Sequence, residues 1–123
     1  MKLRIKGNSI RYRLTKTEID NFRKLGFLEE RTEFPDGQTL YYRLERKEDI
    51  TALEASFSGN RICIFVPETI VEEWTTGDVV GFDHKMIIGE GKELFLLIEK
   101  DFVCLDHSFE DQSDNYPNPN KAC

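Results

Sequence analysis

Apolar and polar residues alternate from Lys2 to Lys6 and again from Ser9 to Leu14, the period of half-buried strands. Gly7-Asn8 between the two runs suits a tight hairpin turn that needs positive φ. Leu3 and Ile5 then share one face, as do Ile10, Tyr12 and Leu14, while Arg11 and Arg13 point the other way. Thr15-Lys16-Thr17-Glu18 fits a capping box, in which Thr15 satisfies free helix N–H groups and Glu18 reaches back. A short helix is predicted to about Leu25, with Ile19 and Phe22 inward and Leu25 as a further candidate; Gly26 is its stop. Phe27–Phe34 and Thr39–Arg46 read as strands around Pro35-Asp36-Gly37-Gln38, a turn in which Pro presets φ and Gly permits the left-handed conformation.

The same order then returns. Ala52–Phe57 and Arg61–Val66 bracket the turn Gly59-Asn60, and Pro67 opens a helix through about Trp74, because its missing N–H costs nothing at a first helical position. Ile70, Val71 and Trp74 form its apolar stripe. Gly77-Asp78 ends the helix, a strand runs from Val79–Phe82 towards Ile88, Gly89-Glu90-Gly91 turns the chain, and Glu93–Lys100 closes the unit. Residues 7–22 align with 59–74 with four identities in sixteen pairs, against about one expected at typical residue frequencies of ~5–7%. The closing strands Leu40–Arg46 and Leu94–Lys100 also correspond. Two half-units that cannot bury their apolar faces alone bury them against each other. The expected fold is mainly β with two short helices (α+β): internally duplicated β-hairpin–helix–β-hairpin units forming one small barrel-like domain. The expected domain is 1–116, with pseudo-repeats 1–47 and 52–100, a C-terminal segment 101–116 packed on the sheet, and an extended or frayed tail 117–123. Two unrelated hairpin–helix segments with ordinary turn punctuation are the alternative.

A chain of 123 residues is long enough to bury one core without metals or disulfides. Nine Phe, four Tyr and one Trp supply large buried areas within a hydrophobic fraction of 39%. No apolar run approaches the eighteen residues of a membrane span, and the start Met1–Lys6 lacks the continuous hydrophobic region of a secretory signal, so the expected location is the cytoplasm. Cys63, Cys104 and Cys123 are an odd set without framework spacing and read as thiols. The net charge of −6 makes the chain a poor general binder of nucleic acid. Its charge is nevertheless polarised: residues 1–24 carry eight Lys and Arg against Glu18 and Asp20, whereas residues 101–123 carry five acids against Lys121. The basic strand face Arg4, Lys6, Arg11 and Arg13 is therefore predicted to meet an anionic group: a partner's, a nucleic acid's despite the net charge, or, first among these, the chain's own Asp106, Glu110 and Asp111.

Leu94-Phe95-Leu96-Leu97-Ile98 is continuously apolar, as in a strand covered on both faces, and the segment that follows is the candidate cover, with Phe102, Leu105, Phe109 and Tyr116 as anchors. Within it lie the chain's one concentration of ligand-type side chains. Cys104 and His107, three residues apart, meet on one face of a helical turn, and thiolate with imidazole suits zinc, the one cofactor the pattern offers. The plainer reading makes Cys104 a small buried hydrophobe and His107 a surface residue. Thiol catalysis by Cys104 with His107 as base is disfavoured by the neighbouring carboxylates, which raise a thiol pKa. Gly89-Glu90-Gly91 lacks the following helix and Lys of a phosphate loop, and no Ser-His-Asp set is visible.

The run Ile62–Pro67, helix, Gly77-Asp78-Val79-Val80 and hairpin resembles the swapped-hairpin β-barrel units of AbrB and MazE type transcription regulators, over roughly residues 59–100. That resemblance implies a single-chain counterpart of a barrel those families build as a homodimer. It does not carry DNA binding across, because Glu68, Glu72 and Glu73 stand where basic groups are needed. The whole chain is also similar to a set of small uncharacterised bacterial proteins. They share Leu3–Arg11, Glu99–Leu105 (apart from a variable residue at Val103), Glu110-Asp111 and Pro117–Pro119, and imply no activity. The leading reading is a non-enzymatic binding or interaction module. The alternatives are a metal-dependent or thiol enzyme centred on Cys104, His107 and nearby carboxylates, with Arg11 or Arg13 clamping an anion, and a structural subunit of a larger assembly.

Overall fold

The computed structural model describes residues 1–102, 114 and 116. Each half of the chain contributes two hairpins around a helix. The first runs β1 (Lys2–Ile5), β2 (Ser9–Leu14), α1 (Lys16–Leu25), β3 (Phe27–Glu33) and β4 (Thr39–Lys47). The second runs β5 (Glu54–Ser58), β6 (Arg61–Pro67), α2 (Glu68–Thr76), β7 (Gly81–Gly89) and β8 (Lys92–Lys100). The hairpins cross over between halves. Sheet I has the order β1-β2-β8-β7 and sheet II the order β3-β4-β6-β5, each with one parallel pair at its centre, β2 with β8 and β4 with β6.

The central registers correspond residue for residue. Ser9 lies beside Phe95 and Leu14 beside Lys100 in sheet I, while Arg61 lies beside Tyr41 and Val66 beside Arg46 in sheet II. The connecting hydrogen bonds correspond too: Phe95 N–H donates to Asn8 O at 3.0 Å and Tyr41 N–H to Asn60 O at 2.9 Å. Lys100 N–H likewise donates to Val80 O at 2.9 Å and Arg46 N–H to Gly26 O at 2.8 Å.

The inner faces carry the core. Tyr12, Leu14, Ile64, Val66, Leu44, Leu96 and Ile98 are buried between the sheets, and the helices add Ile19, Phe22, Val71 and Trp74. Phe22 and Trp74, at matching places in the two halves, meet edge to face with centroids 6.1 Å apart. Thr15 and Glu18 form the expected capping box, and Gly26 ends α1 in the left-handed region at φ 81°.

The two sheets do not close into a hydrogen-bonded barrel. Among the described residues all four outer strands are edges, and the seams between sheets are bridged by other means. The α-amino group of Met1 lies between the carboxylates of Glu18 and Glu30, and Ala55 N–H points at Met86 Sδ 3.4 Å away. Smaller corrections follow from local geometry. Leu25 is exposed, because the helix ends on it. Pro67 is the N-cap of α2 with extended dihedrals, so it still continues β6 beside Lys47. Strand β7 begins at Gly81, two residues later than the apolar pattern suggests, and β5 begins at Glu54 rather than Ala52.

Candidate functional site

Alternation along the central strands gives each sheet an outer face, and the two faces are built differently. On sheet II, β3, β4 and β6 project Glu29, Arg43, Glu45, Arg61, Cys63 and Phe65 outward, and with Ser56 they line a hollow of about 380 Å³. Arg61 forks onto Glu29, with Nε donating to Oε2 at 2.8 Å and Nη2 to Oε1 at 3.3 Å. Arg43 donates to Glu45 at 2.8 Å and to Glu29 at 3.4 Å. Both arginines also lie on rings, Arg61 over Tyr41 at 4.9 Å and Arg43 over Phe27 at 4.3 Å, and Lys47 lies over Phe65 at 4.8 Å. Burial first, and the Glu45 carboxylate second, push the Cys63 thiol up to about 11. A thiol held protonated in this way is no nucleophile at neutral pH. Each of the hollow's four charged side chains already has its counter-charge.

Sheet I is less compensated. Its outer face carries Lys2 and Arg4 from β1, Arg11 and Arg13 from β2, and Phe95, Leu97 and Glu99 from β8; Arg4 faces Arg11 across the hairpin, and Arg11 lies beside Leu97. Glu99 serves two arginines, accepting from Arg13 Nε at 2.5 Å with Arg11 Nε at 3.6 Å. Lys2 Nζ lies 3.0 Å from Asp101 Oδ2 at an angle that makes this a charge contact rather than a hydrogen bond. Arg4 and Lys6 are exposed and have no ion pair among the described residues. Phe95 and Leu97 are half-buried on the far side of β2, beside Ser9 and Arg11.

The chain beyond β8 returns to the start of α1. Asp114 accepts from Lys16 N–H through its carbonyl at 3.1 Å, and from Thr17 through its carboxylate, at 3.3 Å from N–H and 3.0 Å from Oγ1. An acid there complements the free N–H groups and the positive end of the helix. Tyr116 donates its N–H to Asp101 O at 2.8 Å and sets its ring edge-on to Phe102, with Lys16 and Lys100 ammonium groups 5.7 and 5.2 Å from its centroid. The Lys100 side chain is buried, donates to Gly77 O at 2.9 Å, and burial pulls its pKa down.

The Thr15 hydroxyl, followed by Thr17, holds the Asp114 carboxyl below its ordinary range, and Arg61 does the same for Glu29. Both groups are depressed on folding, so the unfolded chain takes up protons first as pH falls. Their stabilisation is present above the ordinary values of 3.8 and 4.5 and is lost below them. We expect a urea midpoint that is flat from pH 7 to about pH 5 and declines below it. The Asp114→Asn/Glu29→Gln protein should show a shallower decline; an unchanged slope would contradict this assignment.

Of the residues singled out from the sequence, Arg4, Arg11 and Arg13 lie on one face, and Lys6 stands at the adjoining turn. Asp106, Glu110, Asp111, Cys104 and His107 lie outside the described residues. Sequence reasoning missed Glu99 as the shared counter-charge of Arg11 and Arg13. It also missed the Glu29–Arg43–Glu45–Arg61 network. Both follow from alternation once the parallel pairings β2–β8 and β4–β6 are known, and no local signal reveals those.

The architecture defines a small, mainly β, α+β domain of two four-stranded sheets and two helices, and no helix among the described residues is long and apolar enough to cross a membrane. The chain belongs to a family described as "Family of unknown function (DUF7009)", whose model matches residues 1–120. No curated protein and no solved structure matches it.

Proposed function

We propose that the protein is a non-catalytic binding module whose contact surface is the outer face of sheet I, where Arg4, Lys6, Arg11 and Arg13 flank Phe95 and Leu97 and meet an anionic group. The observation that carries this reading is the contrast between the faces. On the outer face of sheet II Arg43 and Arg61 are paired with carboxylates and stacked on rings, whereas on sheet I one carboxylate serves Arg11 and Arg13, and Arg4 and Lys6 stand unpaired among the described residues. Unpaired or half-compensated cations on a face that also carries half-buried apolar side chains favour a partner that supplies both an anion and a carbon surface. The anionic group is a partner's, or the chain's own Asp106, Glu110 and Asp111; a net charge of −6 disfavours nucleic acid. In this reading residues 1–116 form one domain of two pseudo-repeats, 1–47 and 52–100, with 101–116 packed on the sheet. The crossed hairpins are a single-chain counterpart of AbrB and MazE type units, and the setting is the bacterial cytoplasm.

The test is fluorescence anisotropy with a labelled polyglutamate peptide, with duplex DNA in parallel, at low and physiological salt. The Asp106→Asn/Glu110→Gln/Asp111→Asn protein should bind the peptide about tenfold more tightly than wild type, because a competing internal anion worth ~1.4 kcal/mol is removed. Adding Arg4→Glu and Arg11→Glu should abolish that binding. Peptide affinity indifferent to both sets of changes would sink the proposal, and a steep salt-dependent preference for DNA would replace it with a nucleic-acid reading.

A further inference from the structure

Among the described residues four strand edges are open, and an open edge offers unpaired N–H and C=O groups to another strand. Three of them carry recognisable protection. Strand β1 is short and alternates cations, Lys2 and Arg4, β5 has only five residues, and β3 has Glu29, Glu30, Arg31 and Glu33 among its seven. Strand β7 has neither device. It is nine residues long, carries only Asp83 and Lys85 as charged groups, and exposes Ile87 at 77% and Ile88 at 50%.

The charges on β7 are arranged in a particular way. Asp83 and Lys85 both point to the outer face of sheet I, where their neighbours on β8 are the apolar Leu97 and Phe95. Both are exposed, and neither has an ion pair among the described residues. About His84 the segment Phe82-Asp83-His84-Lys85-Met86 is complementary to its own reversal. A second β7 running antiparallel with His84 opposite His84 sets Asp83 of each copy against Lys85 of the other, twice over. It also sets Phe82 against Met86 and Gly81 against Ile87. Opposite charges directly across an antiparallel pair stabilise it, and like charges destabilise it by similar amounts.

We propose that the β7 edge is a self-recognition surface. Two copies of the chain pair β7 to β7 about a two-fold axis through His84, joining two copies of sheet I into one eight-stranded sheet. Such a contact is isologous and closes on itself, so it yields a dimer and not a fibre. It removes the least protected edge of the fold and brings Ile87 of each copy towards Gly81 of the other. The β1–β2 end of sheet I, which carries the basic face, lies at the far ends of the joined sheet and stays open, so the inference is independent of the function proposed above.

Light scattering coupled to size-exclusion chromatography of the full chain, with a dilution series, tests it. The wild type should run at twice the chain mass of 14.4 kDa. Asp83→Lys and Lys85→Asp, taken singly, each place like charges opposite one another twice and should weaken dimerisation about tenfold or more. The Asp83→Lys/Lys85→Asp swap restores complementarity and should return the dimer to within about threefold of wild type. A wild type that is monomeric over the whole series overturns the proposal. So does a dimer that both single changes leave intact, or one that the double swap fails to restore.

Discussion

Replacing Trp74 with alanine is expected to cost about 3–5 kcal/mol of folding stability, a large fraction of the ~5–15 kcal/mol available to a domain of this size. The ring is fully buried and packs edge to face against Phe22, and its Nε1–H donates to Val80 O at 3.1 Å. Truncation removes the apolar contact and leaves a cavity where the two helices meet. It does not strand Val80, whose carbonyl still accepts from Lys100 N–H at 2.9 Å. The loss is therefore one of packing. Phe22→Ala removes the other ring of the pair and should be of similar size. Because each ring is the other's contact, the double variant should fall short of the sum by about 0.5–1.5 kcal/mol. Urea unfolding of the four proteins gives the cycle directly. A Trp74→Ala cost below about 1 kcal/mol, or additivity within ~0.3 kcal/mol, would mean that the two halves do not share this interior.

The elements that local chemistry dictates were legible in the sequence. Thr15 and Glu18 mark a cap because their side chains answer N–H groups three residues away, and Gly26 marks a stop because it sits at φ 81°. The turn Gly59-Asn60, with φ of 56° and 60°, is equally local, as are the alternating faces of β2 and β6. What the sequence hid is long-range. Nothing near Arg13 announces that Glu99, on a strand 86 residues away in the chain, will accept its hydrogen bond. Nor does alternation distinguish a closed barrel from two sheets, since both place Tyr12 and Ile64 inside; the difference lies in whether β1 meets β3, and β5 meets β7, through backbone ladders. The basic face was legible as residues, because Arg11 and Arg13 share a parity with each other and not with Tyr12. Its degree of compensation was not, because that depends on the parallel register with β8.

The same limit applies to Gly81, which the sequence offers only as an apolar strand's small residue and the structure makes a point of closest approach. Alanine at this position is expected to cost about 3 kcal/mol, the upper end of what overpacking does. A Cβ built on Gly81 would lie 2.2 Å from Ile98 O and 3.0 Å from Glu99 Cα, both backbone atoms of β8. A side chain in the way swings aside, whereas the backbone of an interior strand paired on both edges does not. The corresponding pair in the other half is Phe27 with Glu45, so the register by itself tolerates a large residue; the demand for glycine comes from the tighter approach of β7 to β8. Gly91 is the comparison. It sits at φ 67° with open space around it, so alanine there meets only the backbone penalty of about 1–2 kcal/mol. Urea unfolding of Gly81→Ala beside Gly91→Ala separates the two causes. Hydrogen exchange adds a spatial readout: Gly81→Ala should lower amide protection along β7 and the facing β8 residues before the rest of sheet I. Gly81→Ala as stable as Gly91→Ala, with protection in β7 unchanged, would show that the two strands have slack at their first register pair.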